Sequence, residues 1–223
     1  MAALAAILLT SCSTPLHTWD VRTTSTPRSQ VLDMAAGSSD PVATLGIVAP
    51  AALQGFSPVL SHALTTALSK ASPPVRAIPS YETLNRLNEG GLAGTYDTLI
   101  TGFVRHGILD REPLQRIAPV LGARYVLQPG LAAFDQAVGD KFEAFGFKVL
   151  KTRLTTLRLW LQLWDTQTGR LLWECSGEIT VAAQLLTQES SVSLDDVAER
   201  LWSRMIQEDL LGGSTRSWLF FSN

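Results

Sequence analysis

Thiol and imidazole side chains are few in this sequence: two cysteines and three histidines. Cys12 follows Leu9, Thr10 and Ser11, an aliphatic residue and then two small ones. Small residues let a peptidase approach the backbone, and the thiol behind them is a nucleophile. His17, His62 and His106 have no Cys or His at metal-ligand spacing, so no metal site is expected. The run Gly90-Gly91-Leu92-Ala93-Gly94 lacks the Lys-Ser/Thr of a phosphate loop and reads as a helix stop. Asp195-Asp196 suits the positive end of a helix dipole, and neither a Gly-x-Ser-x-Gly elbow nor a Ser-x-x-Lys pair occurs. The expectation from these residues is a non-enzymatic chain without a cofactor. Cys175, left without a partner, is expected to pack in a sheet.

The surroundings of Cys12 carry the same reading. Residues 1–9 are almost continuously Ala, Leu and Ile, at the low end of a signal-peptide apolar region. With Leu9, Thr10, Ser11 and Cys12 they resemble the leader and lipobox of bacterial lipoproteins, a resemblance that implies covalent diacylglycerol and an N-acyl chain on Cys12. No Lys or Arg precedes the apolar run, a departure that points to a start codon further upstream. Ser13, where an Asp would retain the protein at the inner membrane, implies by resemblance to enterobacterial sorting an outer-membrane anchor facing the periplasm. Residues 12–41 are rich in Ser, Thr and Pro and read as a tether whose coil would reach about 30 Å. The expected organisation is a signal peptide at 1–11, the lipidated tether at 12–41, one folded domain at 42–213 and an apolar tail at 214–223.

Composition bounds the partners. Hydrophobic residues make up 46% of the 223 residues and charged ones 17%, the balance of a packed domain. A net charge of −2 with scattered Lys and Arg gives no footprint for nucleic acid. No apolar run is long enough for a spanning helix, so attachment falls to the acyl anchor in outer-membrane lipid.

The elements that must sit behind this anchor follow from periodicity. Residues 42–48 read as a strand, and Ser57-Pro58 opens a helix with Leu60, Ala63, Leu64, Ala67 and Leu68 on one stripe. A short strand at 75–78 precedes helices that start at Ser80 and Asp110, with a third carrying Tyr96, Leu99, Ile100, Phe103 and Val104 between them. Arg124 begins a strand that Pro129-Gly130 is expected to close. Leu157, Leu159, Leu161 and Leu163 alternate with Arg158, Trp160, Gln162 and Trp164, the pattern of a strand. The turn 165–169 returns the chain in a hairpin, and a last helix starts at Ser193. This order describes an α/β (α+β) domain, a mixed β-sheet flanked by helices.

Two stretches, Leu121-Gly122-Ala123-Arg124-Tyr125-Val126-Leu127 and Asp165-Thr166-Gln167-Thr168-Gly169-Arg170-Leu171-Leu172-Trp173, are similar to the curli secretion channel (CsgG) lipoprotein family. The penicillin-binding-protein activator lipoproteins and the amino-terminal domain of TolB share that sandwich. The resemblance implies a scaffold without catalysis and a role in envelope assembly or secretion through a protein partner. Its channel branch implies an alternative, a subunit of an oligomeric outer-membrane channel with membrane hairpins near 134–151 and 179–193. An envelope hydrolase with a dispersed site is a further alternative.

Two apolar features are candidate protein interfaces. An even-length hairpin loop would set Trp173 opposite Gln162 and beside Trp160 and Trp164, making one sheet face of tryptophans that is either buried by helices or open as an interface. The tail, with Trp218, Phe220 and Phe221, lies beyond a Gly-Gly break and suits docking on the domain, on another subunit of a homo-oligomer, or on lipid.

Overall fold

The computed structural model describes residues 17–26, 41–144, 147–185 and 192–212. Six strands form one mixed sheet in the order β1-β6-β5-β4-β2-β3. They are β1 (His17–Thr26), β2 (Val42–Thr44), β3 (Ala77–Ile78), β4 (Tyr125–Ala144), β5 (Phe147–Asp165) and β6 (Arg170–Leu185). Strands β1, β6, β5 and β4 pair antiparallel, and β2 runs parallel to both β4 and β3. The helices are α1 (Ser57–Lys70), α2 (Ser80–Glu89), α3 (Ala93–His106), α4 (Arg111–Leu121) and α5 (Leu194–Arg204), which continues into a π-helical turn, Met205–Leu210.

Helices cover both faces of the sheet. The alternating leucines of β5, Leu157 to Leu163, bury with the α1 stripe Leu60, Ala63, Leu64, Ala67 and Leu68 and with Val197, Leu201 and Trp202 of α5. On the other face, Ala43, Val126 and Trp164 meet Leu87 of α2, Leu99 and Phe103 of α3, and Leu114 and Ile117 of α4. Helix ends follow their signals. Ser193 Oγ accepts the Asp196 N–H at 3.1 Å, and α3 and α4 stop at Gly107 and Gly122, both left-handed (φ 70° and 62°). Val104, expected on the α3 stripe, is 64% exposed; the buried face is narrower and holds Leu99 and Phe103.

Three strand expectations need correction. Pro129-Gly130 does not close β4, which runs on to Ala144. The Pro129 carbonyl accepts the Val48 N–H at 3.1 Å, so its nitrogen points to the β2 side too, and the missing donor leaves the β5 ladder intact. The strand at 42–48 shortens to Val42–Thr44, with Val48 bridging Gly130 separately. Residues 17–26, read as coil within the tether, form the edge strand β1. Trp19, Val21, Thr23 and Ser25 are half-buried while Thr18, Asp20, Arg22, Thr24 and Thr26 are exposed, a period of two that suits a sheet edge.

Of residues 134–151, the first proposed membrane segment, 134–144 lie in β4 and 147–151 in β5, and the two strands stay paired to Ala144 and Phe147 through bulges; residues 145–146 lie outside the described ones. The second, 179–193, enters β6 as far as Leu185; residues 186–191 lie outside the described ones.

Candidate functional site

Leu9, Thr10, Ser11 and Cys12, with Trp218, Phe220 and Phe221, lie outside the described residues. What the structure adds is where the chain after Cys12 enters the fold. His17 pairs with Ala183 of β6, whose neighbours across the sheet are Arg153 and Val138. His17 lies five positions after Cys12, and five steps at about 3.3–3.6 Å each reach at most about 18 Å. The reach of about 30 Å expected from a coil spanning 12–41 is therefore cut short by β1.

Several contacts seat β1 on the domain. The Arg200 guanidinium lies 4.5 Å from the centre of the Trp19 ring. Ser25 Oγ donates to Asp209 Oδ1 at 3.0 Å, and the Cys175 thiol donates to Asp209 Oδ2 at 3.7 Å. Asp209, on the π-helical turn, thus joins β1 to β6. Cys175 is buried in the sheet, as expected for a cysteine that packs. Burial first, then the neighbouring Asp209 carboxylate, pushes its thiol well above the ordinary range.

That shift has a definite sign. The unfolded chain releases the thiol proton near pH 8.5–9, roughly the free-cysteine value, whereas the folded chain retains it. The contribution is fully present below that pH and is lost as pH rises through it toward the folded value. Urea midpoints measured from pH 8 to pH 10 are expected to fall more steeply for the parent than for Cys175→Ala. Equal slopes would contradict the assignment.

The tryptophans do not form one surface. The hairpin loop has even length, with Asp165 opposite Arg170 and Trp164 opposite Leu171, but a bulge then sets Leu163 against Trp173. One extra residue on β6 turns Trp173 to the leucine face, where it is 1% exposed. Trp164 is buried on the other face, and its indole N–H donates to Gln162 Oε1 at 3.1 Å. Neither offers a contact surface, so the reading of Trp160, Trp164 and Trp173 as a shared interface is corrected to two separate core positions and one half-buried residue.

Trp160 fills the space above a glycine. It packs on Phe103 with ring centres 5.6 Å apart and crosses to Gly130 on β4, where an added Cβ would fall 1.9 Å from the indole carbons. Gly130→Ala is expected to displace the indole and cost about 2–3 kcal/mol. Intrinsic tryptophan fluorescence and urea unfolding would report it together, and an unchanged midpoint would contradict the packing.

Outside the helix-covered parts, the sheet face carrying Asp20, Arg22, Glu178 and Arg158 is open and charged. Arg22 pairs with Asp20 at 2.7 Å, and Arg158 pairs with Glu178. Arg22 stands opposite Glu178, which stands opposite Arg158, so charge alternates in a row across three strands. The Glu178 carboxylate holds the Arg158 guanidinium above its ordinary range, chiefly through their hydrogen bond.

A shallow groove of about 450 Å³ lies at the end of α4, between Gln115, Pro119, Gly122, Arg124, Thr166 and Gln167. Its polar groups are already engaged within the fold. Thr166 Oγ1 donates to the Arg124 carbonyl at 2.8 Å, Gln115 donates to the Gln167 carbonyl, and the Arg124 guanidinium lies 3.5 Å from Asp165. Among the described residues, no group of three His, Cys, Asp or Glu side chains is placed to hold a metal ion.

Sequence reasoning missed β1. Its signal was present as Trp19, Val21 and Thr23 alternating with Asp20, Arg22 and Thr24, masked by a Ser/Thr/Pro-rich composition.

No protein-family model and no curated protein matches the chain. Among solved structures it is similar to a PelC dodecamer from Paraburkholderia phytofirmans, with 17% identity, a TM-score of 0.42, and coverage of 85% of this chain and 95% of that one. It is also similar to lipoprotein GNA1162 from Neisseria meningitidis, with 13% identity, a TM-score of 0.43, and coverage of 75% and 95%. A hypothetical protein, CT253 from Chlamydia trachomatis, gives 13% identity and a TM-score of 0.40, over 75% of this chain and 94% of that one.

Proposed function

We propose that this chain is a non-enzymatic lipoprotein of the outer membrane, anchored through acyl chains on Cys12, whose periplasmic α/β domain binds a protein partner in envelope assembly or secretion. One observation carries the reading: the lipobox cysteine stands five residues before a strand of the sheet. The anchor would thus feed into the domain itself rather than into a long tether. A leash of about 18 Å at most would hold the domain against the headgroups, where a partner in the same membrane meets it at high local concentration. Metabolic labelling with a radioactive fatty acid tests the anchor, with label expected on the parent and none on Cys12→Ala. For the partner, crosslinking in intact envelopes is expected to yield a defined adduct that Trp218→Ala weakens. Steady turnover of an envelope substrate, abolished by one polar substitution, would favour a hydrolase instead.

One observation favours a second reading, a subunit of an oligomeric channel. Residues 134–144 and 147–151 are paired strands, and the pairing extends past the His17 row at the end of the sheet that leads to Cys12. Ion conductance by purified protein in planar bilayers would support that reading, and its absence would count against it.

A further inference from the structure

Strand β1 is the terminal strand of the sheet, ten residues long, and pairs with β6 without a register shift. Sheet edges that must stay single are ordinarily short, bulged, or broken by Pro or Lys. Its sequence, His17-Thr18-Trp19-Asp20-Val21-Arg22-Thr23-Thr24-Ser25-Thr26, contains neither Pro nor Lys. Among the described residues no strand pairs with its outer side, and its residue order indicates which strand would fit there.

The exposed residues of β1 at alternate positions are Thr18, Asp20, Arg22, Thr24 and Thr26, and the first four form a reversible series. In reverse, that series places threonines at both ends and opposite charges in the middle. An antiparallel copy centred on Val21 therefore sets Asp20 against Arg22 in both directions, and Thr18 against Thr24. Opposite charges and Thr–Thr pairs are favourable cross-strand neighbours, whereas a shift by two residues would place like charges or unmatched ones together. On the other side of the strand, Val21 meets Val21 and the half-buried Trp19 meets Thr23, which extends the apolar layer across the junction.

The open face supplies a second, independent argument. Charge already alternates from Arg158 through Glu178 to Arg22 across β5, β6 and β1. Asp20 of a second copy is the group that continues the alternation beyond Arg22. A two-fold pairing of this kind uses the same patch on both subunits.

We propose that β1 is a self-complementary edge through which two copies of this chain pair antiparallel about Val21 to form one continuous sheet. The interface does not depend on lipidation.

The full chain carrying Cys12→Ser, purified, tests this without the anchor. Thr18→Cys and Thr24→Cys chains, when mixed and oxidised, are expected to form a disulfide-linked heterodimer, because directly opposed residues lie about 4.5–5.5 Å apart at Cβ. Either variant alone should crosslink at least about tenfold less. In sedimentation equilibrium, Asp20→Arg is expected to weaken dimerisation about tenfold by setting Arg against Arg, and Arg22→Asp should do likewise with Asp against Asp. Mixing those two chains restores complementarity at both positions, and dimers should return. A chain that merely failed to fold would not be rescued by mixing. A monomeric parent, equal crosslinking in every combination, or a dimer indifferent to Asp20→Arg would overturn the proposal.

Discussion

Cys12→Ala is expected to move the chain from the membrane fraction to the soluble fraction essentially completely. Each buried methylene of an acyl chain contributes about 0.8 kcal/mol, so a single chain binds reversibly and two or three hold firmly. No helix among the described residues is long and apolar enough to cross a membrane. The solvent-facing side of β1, which follows Cys12 in sequence, is Thr18, Asp20, Arg22, Thr24 and Thr26, which gives lipid no apolar grip. Fractionation followed by carbonate extraction measures the shift. Retention of Cys12→Ala in the extracted membrane would count against the acyl anchor and favour the hairpin-bearing channel subunit.

The second large effect is on the fold. Trp202→Ala is expected to destabilise the domain by about 4 kcal/mol. The Trp202 side chain is fully buried, on the α5 face that also carries Val197, Ala198 and Leu201. This helix sits close to the sheet because Gly177 on β6 has no side chain, and a Cβ there would fall 2.8 Å from Leu201 Cδ1. With the helix backbone held at that distance, neighbours cannot collapse into the space an indole leaves, so the cavity persists. A loss of that size is a large fraction of the roughly 5–15 kcal/mol typical of a domain. Urea denaturation followed by far-ultraviolet circular dichroism measures it. A loss below about 1 kcal/mol would show that the site collapses freely. Trp202→Phe should cost less, because the indole N–H makes no hydrogen bond among the described residues.

Much of the fold was legible where one physical signal acted alone. The α1 stripe, the Ser193 cap and the leucine alternation of β5 each rest on a period or a cap, and the structure has all three. Misreadings arose where two signals competed. Pro129 reads as a strand end until the neighbouring strand is known, because its cost depends on which side its nitrogen faces. Trp173 takes the opposite face because of a bulge, which leaves no mark in the alternation of either strand. Strand β1 hid behind a composition typical of linkers, although threonine is a good strand former when its neighbours alternate. The site divides in the same way. The expectation for Cys12 rests on a short local motif, Leu9 to Cys12, whereas the charge row Arg22, Glu178 and Arg158 joins three strands far apart in sequence. No local pattern could have assembled it.

The central claim is that this chain is held to a membrane by acyl groups on Cys12, with its sheet close behind. The most direct measurement is the mass of the amino-terminal peptide of protein isolated from membranes. A peptide beginning at Cys12 and carrying diacylglycerol with an N-acyl chain is the expected result. An unmodified Cys12 within an uncut chain would contradict it.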